Sequence, residues 1–206
     1  MVGRILTRLK RQGRMPPATL QDPCIVRRPQ IRPYAVRKPR DYLVQAPGDL
    51  VQVDTKDVRH WGVVYKHFAG RDCVSRWDVL DVHRSATARN AEAFLDVLVE
   101  RMPFAVRAIQ VDGGSEFKAE FEEACRRKGI SLFVLPPRSP KLNGRVERSN
   151  RTHDEEFYQV IPPPDNLVHL RAQLLWQEQR YDTYRPHQAL GNLTPLEWLL
   201  AWRERR

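Results

Sequence analysis

Three carboxylates stand where this chain could do chemistry: Asp54, Asp112 and Glu147. Asp54 follows the apolar, strand-like run Leu50-Val51-Gln52-Val53. Asp112 closes a second such run, Val106 to Val111, and opens a Gly113-Gly114 turn. Glu147 comes 35 positions after Asp112, inside the basic, helix-competent segment Asn143 to Arg151. Carboxylates at the ends of apolar strands are costly to bury unless a cation or hydrogen bonds compensate them. A pair of divalent ions would compensate all three. Such a pair also activates an attacking oxygen and stabilises a leaving one in an in-line phosphoryl displacement. Taken singly, each acid has an ordinary reading: a strand-end cap for Asp54, a common Asp-Gly turn for Asp112, a surface ion pair for Glu147. Together they are more specific. If the first and fourth strands are adjacent and parallel, Asp54 and Asp112 end side by side at one sheet edge. A helix starting after a Pro/Gly loop then sets Glu147 opposite them. An all-oxygen donor set suits Mg²⁺ or Mn²⁺.

The elements that must position these acids follow from hydrophobic periodicity. Strands are expected at 49–55, 61–68 and 74–82, the last two as a hairpin through Ala69-Gly70-Arg71-Asp72. A helix is expected over 87–102, with Ala91, Phe94, Leu95, Leu98, Val99 and Met102 on one stripe. Then come a strand at 105–111, a helix at 116–128 burying Phe117, Phe121, Ala124 and Cys125, and a strand at 131–135. Strands followed by helix-strand-helix-strand predict an α/β fold, a mixed sheet of about five strands flanked by helices. Beyond the 136–143 loop, a helix carrying Glu147 runs to about Tyr158, and Pro162-Pro163-Pro164 breaks the chain. A helix over 165–183 has Leu167, Leu170, Leu174 and Trp176 among its apolar positions. Thr194, Pro195 and Glu197 form a capping box for a last helix.

The charge is informative because of where it lies. The 206 residues carry a net +10, and residues 1–40 hold eleven Lys/Arg against Asp22 alone, so the remainder is formally neutral. An arm of that kind suits a polyanion, with Arg27, Arg28, Arg37 and Lys38 as candidate DNA contacts. The alternative is a solvated, disordered tail. A second basic cluster, Arg138, Lys141, Arg145, Arg148 and Arg151, surrounds Glu147, and its phosphate contacts would give affinity without sequence readout. No run approaches the roughly 18 apolar residues of a membrane helix. The N-terminus lacks a secretory signal pattern, and three scattered cysteines form neither a disulfide framework nor a zinc signature, which points to a reducing cytoplasm. Val2, Ile5, Leu6 and Leu9 mark a short amphipathic helix ending at Gly13, which cannot bury its apolar face alone.

Several stretches resemble one family. Ser139 to Thr152, with Asn143-Gly144-Arg145-Val146-Glu147-Arg148 at its centre, is similar to the last acidic motif of DDE-type insertion-sequence transposases with a retroviral-integrase-like core. Gln110-Val111-Asp112-Gly113-Gly114-Ser115-Glu116-Phe117 resembles their second motif, and Asp72-Cys73-Val74-Ser75-Arg76 their Asp-x-x-Ser-Arg. Tyr184-Arg185-Pro186-His187-Gln188-Ala189-Leu190, followed by Thr194-Pro195, resembles the tail of the bacterial members. The 34 residues between Asp112 and Glu147 match the family spacing.

The resemblance implies a ribonuclease-H-like core, with Asp54, Asp112 and Glu147 as catalytic metal ligands for two Mg²⁺ ions (Mn²⁺ substituting) when DNA is bound. It implies nicking of DNA at transposon ends and joining of the 3′ hydroxyl to target DNA by a homo-multimer, in a bacterial, nucleoid-associated setting. Arg151 shares the helix face of Glu147 and would clamp a phosphate. The organisation expected is a partial helix-turn-helix at 1–14, a basic Pro-rich linker at 15–44, the catalytic core at 45–160 and a helical C-terminal extension at 161–206. Two departures stand out. Gly113 replaces the usual Asn, and Met1 enters midway through the helix-turn-helix, as in a truncated copy, a misassigned start or one product of a split frame. The competing functional readings are a non-catalytic DNA-binding or inhibitory remnant and a ribonuclease-H-type nuclease on RNA–DNA hybrids.

Overall fold

The computed structural model describes residues 34–60, 62–136, 143–161, 164 and 166–205, together with Gln12. The expected N-terminal helix, most of the 15–44 linker, Arg27, Arg28, Arg138 and Lys141 lie outside the described residues. Arg32–Arg206 form one compact unit, to which everything below refers.

Its centre is a five-stranded sheet in the order β3-β2-β1-β4-β5. The strands are β1 (Val51–His60), β2 (Val63–Asp72), β3 (Asp78–His83), β4 (Ala108–Val111) and β5 (Ser131–Val134). β1, β2 and β3 are antiparallel neighbours, whereas β4 runs parallel to both β1 and β5. The helices are α1 (Ala88–Arg101), α2 (Glu120–Arg127), α3 (Gly144–His153), α4 (Leu167–Thr183) and α5 (Pro195–Glu204). A π-helical turn, Asp154–Tyr158, continues α3.

The period-2 alternation of the strands sends side chains to two separate cores. Val51, Val53, Phe68, Val79 and Ile109 pack with Phe94, Leu95 and Leu98 of α1 and Phe121 of α2. On the other face Tyr65, Ala69, Leu80 and Val82 pack with Val146 of α3, Phe157, and Leu170 and Leu174 of α4. Val99 and Trp176, expected among the apolar faces, are exposed instead. The capping box of α5 is present as expected, with Thr194 and Glu197 bonded reciprocally.

The hairpin expected through Ala69–Asp72 is displaced: those four residues lie inside β2. Gly70 is there for a different reason. A Cβ at this position would sit 2.2 Å from Leu98 Cδ1, so the glycine lets α1 approach the strand. The reversal into β3 occurs over Cys73–Trp77. There the Asp72 carboxylate accepts from Gly48 N (2.9 Å), Val74 N (3.0 Å) and the Ser75 hydroxyl (2.8 Å), and Arg76 takes a left-handed φ of 65°. The Asp-x-x-Ser-Arg run is therefore a turn held by its own first residue.

Both edges of the sheet are covered, which removes the hazard of unpaired strand edges. Along β3, Asp182 of α4 accepts from Asp78 N (3.0 Å) and Glu178, one helical turn earlier, from Leu80 N (2.6 Å). Along β5, Val36 forms a parallel bridge to Phe133, bonding Leu132 O and Val134 N. Tyr34 and Ala35 donate their N–H groups to the Glu122 carboxylate at 2.8 Å each. Within the segment expected to be linker, residues 34–36 are pinned to the sheet.

Candidate active site

The face of β1 opposite α1 carries Gln52, Asp54 and Lys56 at alternate positions, and all three hold the α3 segment. Gln52 accepts from the first-turn amides Arg145 N (3.1 Å) and Val146 N (3.2 Å), groups with no partner inside the helix. Asp54 Oδ2 accepts from the Asn150 side-chain amide at 2.9 Å. Lys56 Nζ donates to Asn150 O at 2.9 Å and pairs with Asp154. One strand thus fixes where α3 starts, its rotation and the π-helical turn that follows. With α3 at about 100° per residue, Glu147, Asn150 and Asp154 share one flank.

Asp112 arrives by the neighbouring strand. β1 and β4 pair in parallel with Val51 opposite Ile109 and Gln52 opposite Gln110, and Asp54 and Asp112 stand two residues further along each chain. The prediction of two adjacent parallel strands ending in acids holds in register, although β1 continues six residues past Asp54 because β2 pairs with it all the way to His60. Asp112 Oδ1 accepts from Gly114 N at 2.8 Å, and a Cβ on Gly114 would sit 2.9 Å from that oxygen and 2.7 Å from Glu116 Oε2.

Asp54 feels the other two acids. Asp54 is pushed up to about 6, first by burial and then by the charges of Asp112 and Glu147, against hydrogen bonds from Thr55 N and Asn150 that hold it down. Among the described residues no Lys, Arg or His forms an ion pair with any of the three. Nor, among those residues, do three His, Cys, Asp or Glu side chains already form a ready-made metal cluster. Asp112 and Glu147 are exposed, and one oxygen of Asp112 is turned back to its own loop. In donor type the three carboxylates fit a divalent cation, and among the described residues Asp54 feels the positive charge of Lys56 on its own strand.

The basic residues scatter more widely. Arg151 pairs with Glu155 across one turn at 3.0 Å, an exposed pair of small energetic weight. Arg145 turns away from the acids and donates to the carbonyl of Cys73. Arg148 is exposed on the same side of α3 as Arg145. Arg37 and Lys38 line a groove with Gln110, Phe133 and Arg145 beside the sheet edge. Asn150 and Lys56 were not singled out by sequence reasoning. Asn150 sits at i+3 from Glu147, a signal for the same helix face that was available.

Residues 128–195 match the integrase core domain family. That match spans about a third of the chain. It is 30% identical over 119 residues to a putative transposase InsD of insertion element IS2E from Escherichia coli K12, covering 53% of this chain and 54% of that protein. The same identity relates it to the Escherichia coli transposase InsD of IS2A/D/F/H/I/K, over 39% of that protein. The chain thus spans about half or less of the length of the curated relatives it matches.

Among solved structures, the catalytic core domain of BIV integrase aligns with 76% of this chain and 97% of its own, at 22% identity and TM-score 0.59. The HTLV-2 integrase core in complex with magnesium aligns with 73% and 95%, at 17% identity and TM-score 0.58. These likenesses establish the ribonuclease-H-like fold of the integrase core. No helix among the described residues is long and apolar enough to cross a membrane.

Proposed function

We propose that this chain carries an integrase core, the catalytic domain of a DNA transposase, a metal-dependent polynucleotidyl transferase that nicks DNA at element ends and joins the 3′ hydroxyl to target DNA. The observation that supports the reading is the scaffold: Asp54 and Asp112 stand at matching positions on adjacent parallel strands, Gln52, Asp54 and Lys56 all hold the helix that carries Glu147, and Asp54 feels the charges of both other acids. Mg²⁺, or Mn²⁺ in its place, would be held by these three carboxylates, two ions per site with DNA bound. When bound, the metal supplies Lewis-acid activation of the attacking oxygen and neutralisation of charge on the phosphate.

The chain's own residues do the rest. Asn150 orients the Asp54 carboxylate through its side-chain amide. Gly114 keeps the approach to Asp112 free of a side chain. Arg145, Arg148 and Arg151 on α3, with Arg37 and Lys38 at the sheet edge, supply phosphate contacts that position DNA. The bacterial InsD relatives are transposases, the HTLV-2 neighbour binds magnesium, and another neighbour of the same fold (TM-score 0.60) is a viral intasome. These support DNA as the substrate and a homo-multimer as the acting form.

The test is strand transfer by the full chain with a labelled duplex bearing a recessed 3′ end, in Mg²⁺ and in Mn²⁺. Joined products that disappear in Glu147→Gln and in Asp112→Asn are expected. DNA binding without nicking or joining in either metal would leave a binding protein and overturn the catalytic reading.

A further inference from the structure

On the other flank of α3 lies a cleft of about 550 Å³, closed on its far side by the Arg185-Pro186-His187 segment. Arg145, Arg148 and Thr152 face it from α3. At about 100° per residue they lie roughly 160° around the helix from the Glu147–Asn150 flank. Among the described residues five arginines line this cleft (Arg71, Arg76, Arg145, Arg148 and Arg185), and none of those lining it is acidic.

Two of these charges are matched from behind. Arg71 pairs with Asp78 at 3.0 Å, and Arg185 grips Glu156 at 2.7 Å. Arg145 donates to a neutral carbonyl, and Arg76 and Arg148 have no ion pair among the described residues. Three guanidinium groups therefore line one cleft without an ion pair among the described residues, Asp72 acting on Arg76 only from behind the turn. Arg76 bears the consequence, its pKa lowered first by burial and then by Arg145 and Arg71. His187, 7% exposed, places a buried Nε2 without a partner among the described residues. Burial and the nearby arginines push it down to about 4, so the ring is neutral and adds no charge to the cleft. Planar guanidiniums match phosphate oxygens.

We infer that this cleft is a second phosphate-binding groove, taking the backbone of a nucleic-acid segment on the flank of α3 opposite the carboxylates. It rests on the reading of the chain as a DNA-acting core. A diester backbone fits better than a single small anion, since each phosphate brings one charge and three arginines stand without an ion pair among the described residues. α3 then forms a rib between two grooves, carboxylates on one side and arginines on the other.

The experiment is fluorescence anisotropy of the full chain with a labelled duplex, in EDTA, from about 50 to 200 mM salt. The double variant Arg76→Asn/Arg148→Ala is compared with wild type, asparagine being chosen because it tolerates the positive φ at position 76. Affinity is expected to fall at least about tenfold at the lower salt. The slope of log affinity on log salt is expected to shrink by about 2, since each lost phosphate contact removes about 0.9. Arg126→Ala, on the outer surface of α2, should change neither, and circular dichroism checks that the variants fold.

Wild-type affinity and slope in the double variant would overturn the cleft and the phosphate role of Arg148, and leave the catalytic reading standing. Absence of duplex binding by wild type would overturn both. If inorganic phosphate or pyrophosphate raises the melting temperature of wild type but not of the variant, while duplex binding is equal, the cleft is a small-anion site and the inference fails.

Discussion

Gly70→Ala tests whether the close approach of α1 to β2 is real, because two physical effects oppose one another there. Gly70 is not among the glycines with positive φ, so alanine meets no backbone strain. If space were open, the loss of freedom in the unfolded chain would stabilise the variant by about 0.4–1 kcal/mol. Space is not open. The new methyl would lie 2.2 Å from Leu98 Cδ1 and 3.5 Å from Phe94 Cζ, and both side chains are fully buried. Overpacking of a well-filled core costs about 1–3 kcal/mol, so net destabilisation is expected. Leu98→Ala alone should cost about 2–5 kcal/mol by opening a cavity. In the double variant the methyl at position 70 occupies part of the space that Cδ1 left. The cycle should then show a favourable coupling of about 1–3 kcal/mol. Urea unfolding followed by tryptophan fluorescence gives the four stabilities, provided the m-values agree. A stabilised Gly70→Ala, or strictly additive effects, would refute the packing argument. The neighbouring Ala69 pairs with Asp54 across the sheet, so the same overpacking should also lower strand-transfer activity.

Three further outcomes are expected. Glu178, raised to about 7 chiefly by burial, binds its proton more tightly folded than unfolded, so its contribution is fully present below about pH 4.5 and fades as pH rises to about 7. Glu178→Gln should remove that dependence and gain on wild type by ~3 kcal/mol between pH 4.5 and 8, whereas parallel stability profiles would contradict it. Asn150→Ala should cut strand transfer about 10–100-fold and raise the Mg²⁺ concentration needed, since the amide orients Asp54; an unaltered metal titration would speak against that role. Thr194→Ala should cost about 1 kcal/mol in thermal unfolding by opening the capping box of α5, and an unshifted midpoint would mean the cap contributes nothing.

Much of the fold is legible along the chain because local repeats report it directly. Alternation in Val51-Gln52-Val53-Asp54 marks a strand, the Ala91, Phe94, Leu95, Leu98 stripe marks α1, and Thr194-Pro195-Glu197 starts α5 where it is expected. The three acids are candidates from sequence alone, since their types and spacing depend only on order along the chain. Other features were not legible. A glycine serves a turn or a close contact equally well, so Gly70 could be read correctly only once Leu98 was in place. Polar Thr55-Lys56-Asp57 carries no hydrophobic signal, yet it is strand because β2 supplies its backbone hydrogen bonds. Helical periodicity made Trp176 as apolar a position as Leu174, but α4 turns Leu170, Leu174, Glu178 and Asp182 to β3 and leaves Trp176 to solvent.

Residue types and spacing along the chain determined which groups could do chemistry and which segments could carry them. Packing between residues 75 and 96 positions apart gave two acids their partners, His153 to Asp78 and Asn150 to Asp54, and it left Arg76 and Arg148 facing an open cleft. A charge is satisfied by what lies within a few ångströms of it in space, and the order of residues does not contain that distance.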